Sequence, residues 1–179
     1  MKFSMKKVTV LLADGFEEIE ALTVVDLLRR AKVYVDTVSI TDDYTVRGAH
    51  GIPVQTEDLI TEIDFKESDM IVLPGGMPGT TNLKEDENVR KAVQEAYDDG
   101  RYVAAICAAP TILADMGILK GKRATCYPDM ESEIEDAYLT GAPVATDENI
   151  ITSQGVGTAI DFALKLIEVL ISEEKAVEI

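Results

Sequence analysis

Three near-continuous apolar runs, each stopped at once by a turn, constrain this chain more than any other feature. Val8–Ala13 (VTVLLA) ends at Asp14-Gly15, and Met70–Leu73 (MIVL) ends at Pro74-Gly75-Gly76. Tyr102–Ile106 (YVAAI) runs straight into Cys107-Ala108-Ala109-Pro110. A strand with one wet face alternates apolar and polar residues, whereas these runs read as strands buried on both faces. Helical patterns lie between and after them, at about Glu17–Ala31, Asp86–Asp99 with Gly100 as its stop, and about Thr158–Ser172. In the last of these, Ile160, Leu164, Ile167 and Ile171 fall on one stripe.

Val33–Ile40 reads as a further strand, and Arg47–Gly51 turns the chain before Ile52–Thr56. Arg123–Thr125, Val144–Thr146 and Ile150–Thr152 are shorter strand candidates, with Asp147-Glu148-Asn149 as a hairpin turn between the last two. The final charged residues are expected to fray. Strands alternating with helices predict one α/β domain over residues 1–179, with a mainly parallel sheet covered on both faces. Ligands of such sheets bind beyond the C-terminal ends of the strands. Asp14–Glu20, Pro74–Gly79 and Cys107 should therefore meet there.

Seventeen basic against 33 acidic residues give a net charge of −16, which repels nucleic-acid phosphates and anionic lipids. Two cysteines are too few for a disulfide framework, so a reducing compartment, the cytoplasm, is expected. No apolar window reaches membrane length, and the first run is too short for a signal peptide.

Cys107 ends a strand and opens a helix, where free N–H groups and the helix dipole favour thiolate, the reactive form. The small neighbours Ala105, Ala108 and Ala109 suit a crowded turn of the kind that exposes a nucleophile. On a helical wheel Ala21, Val24, Leu27, Leu28 and Ala31 form the apolar stripe of the first helix, and Glu20 projects inside it while Glu18 falls outside. A carboxyl group on a buried face needs a partner or a proton. Glu17 also projects inward, but in the first turn it can stay solvated. Gly75 and Gly76 after a strand let backbone N–H groups come close to an oxyanion. His50, the single histidine, reads as a surface-loop residue, and Cys126 as a structural thiol. No set of His, Cys and carboxylates has metal-ligand spacing, and no glycine-rich nucleotide motif follows the first strand.

Together LLADGFEEIEA (11–21), DLLRRA (26–31), IVLPGG (71–76), AAICAAPTIL (104–113) and ITSQGVGTAIDFALKLIE (151–168) resemble the ThiJ/PfpI superfamily. The similar branch is that of the parkinsonism-associated deglycase and its bacterial relatives. The resemblance implies a flavodoxin-like three-layer sandwich of the class I glutamine-amidotransferase type, usually a homodimer. It carries a reactive cysteine onto Cys107, a protonated glutamate that shares its proton with the sulfur onto Glu20, and backbone donors onto Gly75, Gly76 and Ala108. Many relatives have a histidine before a proline beside the cysteine, where this chain has Tyr127-Pro128. The protease-like branch has a histidine directly after the nucleophile, where this chain has Ala108, which disfavours peptidase and glutaminase chemistry. An anion-binding arginine of close relatives aligns with His50, while Arg30 keeps its companion.

The function this implies is a glyoxalase III or deglycase acting on α-oxoaldehydes, with Cys107 and Glu20 catalytic and Tyr127 in the pocket. No metal or organic cofactor is expected. The alternative is a redox-responsive stress protein or chaperone-like sensor read out by oxidation of Cys107. Ile19 and Leu22, on the polar side of the first helix, suggest a partner surface for the homodimer.

Overall fold

The computed structural model describes residues 5–179, and its centre is a seven-stranded sheet. In chain order the elements are β1 (Lys7–Leu12), α1 (Glu18–Arg30), β2 (Tyr34–Ser39), β3 (Thr45–Arg47), β4 (Pro53–Gln55) and β5 (Asp58–Leu59). Next come β6 (Met70–Leu73), α2 (Gly79–Glu85), α3 (Glu87–Asp98), β7 (Tyr102–Ile106) and α4 (Pro110–Asp115). The last third holds β8 (Arg123–Ala124), β9 (Tyr138–Leu139), β10 (Val144–Asp147), β11 (Ile150–Ser153), α5 (Ala159–Leu170) and α6 (Glu173–Glu178).

The sheet order is β10-β11-β7-β6-β1-β2-β5. Every neighbouring pair is parallel except the β10–β11 hairpin. Its five central strands follow the flavodoxin-like order, so the chain has a flavodoxin-like α/β fold. The apolar runs divide by parity between two cores, as the two-residue period of a strand requires. Val8, Val10, Leu12, Met70, Val72, Ala104 and Ile106 pack under α1 and α5. Leu11, Ala13, Ile71, Leu73, Val103 and Ala105 pack under α2, α3 and α4. The connection after β1 thus leaves on one face and that after β6 on the other, and a crevice opens between their ends.

Three sequence expectations change. In α5 the buried face is Ala159, Phe162, Ala163, Leu166, Ile167 and Leu170. Of the expected stripe only Ile167 is buried; Leu164 is half-buried, and Ile160 and Ile171 are exposed. This helix is apolar almost all round, and the sheet takes the side that carries Phe162. The charged C-terminus does not fray but forms α6, capped by Ser172, whose Oγ accepts from the Lys175 N–H at 3.2 Å. Glu18, placed outside the core by the wheel, is buried, because the turn between β3 and β4 folds over it. Among the described residues no helix is long and apolar enough to cross a membrane.

Candidate active site

Cys107 follows β7 with φ at +65°, a left-handed conformation that side chains rarely adopt. Such strain costs roughly 1–3 kcal/mol and persists only where the surroundings fix it. Here they do so from both sides of the peptide. The Cys107 N–H donates to the Ser153 carbonyl at the end of β11, and the Cys107 carbonyl accepts from the Tyr127 N–H, both at 2.9 Å. Ala104, Ala105, Ala108 and Ala109 are buried around it, and larger side chains would not fit so sharp a turn. The sulfur is half-buried and opens into a pocket of about 420 Å³ lined by Tyr127, Pro128, Gln154, Gly155, Val156 and Thr158.

Glu20 reaches this crevice from α1 and is wholly buried. Its Oε2 accepts from the Gly75 N–H at 2.9 Å, and its Oε1 has no nitrogen or oxygen partner. Both Oε1 and the Cys107 sulfur border Gly155: a Cβ added there would lie 3.9 Å from the oxygen and 3.8 Å from the sulfur. Gly75 is required by close approach, since a Cβ on it would stand 2.5 Å from Glu20 Oε2 and 2.6 Å from the Cys107 Cβ. Gly76, at φ +91°, is required by conformation as well.

The electrostatics couple the two side chains. Burial pushes the Glu20 carboxyl up to about 7; the Cys107 thiol and the Gly75 N–H pull the other way, and the Glu17 charge adds to the rise. Burial also pushes the Cys107 thiol up, reinforced by the charge and hydrogen bond of Glu20, to about 12. The N–H groups of Ala108 and Gly76 point at the sulfur and pull it down. The helix terminus, and the shared Glu20 proton that the family resemblance implies, both predict a lowered thiol. Burial, and Glu20 whenever it is charged, oppose that direction, and α4 begins three residues later and is short. When Glu20 holds a proton, its charge no longer opposes the thiolate. The two titrations are therefore coupled.

Of the residues singled out in sequence, Cys107, Glu20, Gly75, Gly76, Ala108 and Tyr127 all meet at this crevice. The Gly75 N–H is already bound to Glu20, so the donors left at the sulfur are those of Gly76 and Ala108. Tyr127, 43% exposed, walls the pocket with its ring while its N–H holds the elbow. Cys126 is buried, and its thiol donates to the Tyr127 carbonyl at 3.3 Å, as befits a structural residue. Arg30 is exposed and pairs with Asp26 within α1.

His50 is not an idle loop residue. Its Nδ1 lies 2.9 Å from Glu18 Oε2, its N–H donates to Glu18 Oε1 at 2.8 Å, and these contacts push its imidazole pKa up. The fold thus gathers Glu17, Glu18 and His50 within ligand distance of one another, although nothing in their sequence spacing suggests it. The pocket wall Gln154-Gly155-Val156 was also missed. Its signal was the pair of glycines just after β11, at the same sheet end as the other loops.

The chain is similar to known proteins along its length. The chain is 40% identical to Protein DJ-1 homolog B of Arabidopsis thaliana over its whole length, though it spans only 41% of that protein. It is 34% identical to the glutathione-independent glyoxalase DJ-1 of Schizosaccharomyces pombe, covering 96% of this chain and 94% of that one. The crystal structure of Drosophila melanogaster DJ-1beta superposes with a TM-score of 0.94 at 35% identity, covering 98% of this chain and 95% of that one. A family model described as DJ-1/PfpI family matches residues 6–169, and the chain belongs to that family.

Proposed function

We propose that this chain is a cysteine-dependent enzyme of glyoxalase or deglycase type, acting on small α-oxoaldehydes such as methylglyoxal or their adducts. The observation that carries the reading is the buried Glu20 carboxyl, with one oxygen lacking any nitrogen or oxygen partner beside the Cys107 sulfur. The name of the fission-yeast relative, a glutathione-independent glyoxalase, supports the same class.

The sulfur attacks the aldehyde carbon, C1, and forms a C–S bond; the carbonyl oxygen takes the proton held by Glu20 and becomes the hydroxyl of a hemithioacetal, which leaves Glu20 ionised. The Gly76 and Ala108 N–H groups stabilise the negative oxygen as it develops. Ionised Glu20 then removes the C1 proton and returns it at C2, so that C1 is oxidised and C2 reduced within one molecule. The resulting thioester is hydrolysed to a hydroxyacid, which frees the sulfur. No external oxidant or reductant is needed. The pair is suited to this sequence because a carboxyl near 7 both gives and accepts a proton at neutral pH.

Purified protein should convert methylglyoxal to lactate, and Glu20→Gln should lower turnover by about 10²–10⁴-fold. Full activity in Glu20→Gln would remove its proposed role. A wild-type protein without turnover, but with Cys107 readily oxidised to sulfinate, would favour the redox-sensor reading.

We also propose a homodimer of the cytoplasm. Ile19 and Leu22 on α1 and Ile160 on α5 are exposed, and these helices pack side by side. An apolar face of this kind is costly to leave in water. Sedimentation at micromolar concentration should give twice the chain mass, and a clean monomer would refute the dimer.

A further inference from the structure

Outside the Cys107 pocket, one cluster of side chains has the geometry of a chelate. His50 Nδ1 lies 2.9 Å from Glu18 Oε2 and 3.6 Å from Glu17 Oε2. Two ligands each about 2.1 Å from a metal are roughly 3.0 Å apart at a right angle and roughly 3.4 Å apart at a tetrahedral one. These two distances suit a shared ion, and the three ligand atoms lie within 4.8 Å of one another, so the carboxylates need only draw in around the imidazole.

The cluster is also held in place. Glu18 is 5% exposed, and its Oε1 accepts from the N–H of His50 at 2.8 Å and of Ile52 at 3.5 Å. A Cβ on Gly48 would stand 2.2 Å from that oxygen, so the β3–β4 turn closes over the carboxylate only because residue 48 is glycine. Oε2 is left facing His50. The imidazole is 68% exposed, which keeps the outer side open to water or a ligand. Among the described residues neither Glu17 nor Glu18 has a lysine or arginine partner, so beyond backbone N–H groups the adjacent carboxylates meet one imidazole. The start of α1 opposes a cation with about half a charge, which two carboxylates outweigh.

We propose that Glu17, Glu18 and His50 form a three-ligand site for a divalent first-row transition metal. One imidazole and two carboxylates suit zinc or cobalt, whereas magnesium and calcium prefer oxygen ligands alone. The metal takes the place of the proton between His50 Nδ1 and Glu18, and that proton leaves to solvent. The site borders the Gly75-Gly76 loop, because the Glu17 N–H donates to the Gly75 carbonyl at 2.9 Å. It does not depend on any turnover at Cys107.

Zinc titrated calorimetrically into the intact, metal-free chain should reveal one site. Its affinity should fall at least tenfold in His50→Ala and in Glu17→Gln, and stay unchanged in Cys107→Ala. Glu17→Gln leaves the β3–β4 turn untouched, since that turn is held by Glu18. Cobalt in the same site should give visible bands without the near-ultraviolet band of a cobalt–thiolate bond. Absence of binding, an isotherm indifferent to His50→Ala, or a thiolate band lost in Cys107→Ala would overturn the site.

Discussion

The two cysteines are linked through Tyr127, which follows Cys126 and donates its N–H to the Cys107 carbonyl, and both thiols are pushed up, Cys107 to about 12 and Cys126 to about 11. The origins differ. For Cys126 the cause is burial, helped by the fixed charges of Glu131 and Glu133. For Cys107 it is burial plus Glu20, a neighbour whose charge comes and goes near neutral pH, opposed by two backbone donors. A raised thiol thus says little by itself; what matters is whether the group that raises it can take the proton. The backbone marks the same distinction, since Cys107 is held in a left-handed turn and Cys126 is not.

The largest difference between the two cysteines is expected in turnover. Cys107→Ala should abolish conversion of methylglyoxal, while Cys126→Ala should keep it within a few-fold and cost about 1 kcal/mol of stability for the lost packing. Equal losses of turnover in the two variants would erase the distinction.

A second effect is expected in stability against pH. The folded pKa of Glu20 is raised from 4.5 to about 7, so the folded state holds the proton more tightly than the unfolded chain. Its contribution is therefore fully present below about pH 4.5 and is lost as pH rises through 7. At roughly 1.36 kcal/mol per pKa unit, wild type should lose about 3 kcal/mol relative to Glu20→Gln over that range. Parallel stability profiles for the two proteins would mean that Glu20 titrates as an ordinary carboxylate.

A smaller effect is expected at the pocket wall. Tyrosine is a poor proton carrier at neutral pH, and histidine titrates in the working range. Tyr127→His should raise α-oxoaldehyde turnover about tenfold, with Tyr127→Phe close to wild type. Unchanged kinetics in both would reduce Tyr127 to a space-filling wall.

Much of this was legible before the fold was known, and the limits have physical causes. β1, β6 and β7 were readable because strands buried on both faces have no polar alternation to blur them. Cys107 and Glu20 followed from local rules, an elbow after a strand and a carboxyl inside an apolar stripe. The burial of Glu18 was not readable, because its cover comes from residues 48–52, a turn remote in sequence. The face of α5 was misread because its sequence offers two apolar stripes, and only the sheet decides between them. The burial that opposes a lowered Cys107 thiol was not readable at the elbow, because helix position is local whereas burial is tertiary.

The central claim is that Glu20, rather than Cys107, carries the proton the pair shares. Its most direct test is the rate of Cys107 alkylation by iodoacetamide against pH, with Cys126 as internal reference, in wild type and Glu20→Gln. With the proton on Glu20 the charge that raises Cys107 is gone while the Gly76 and Ala108 donors remain, so Cys107 should react at least about tenfold faster than Cys126 at pH 7. Glu20→Gln, which keeps a donor beside the sulfur, should leave that rate similar or lower. A marked acceleration in Glu20→Gln, or identical pH profiles for the two cysteines, would mean that Glu20 is charged and repels the thiolate, contrary to this account.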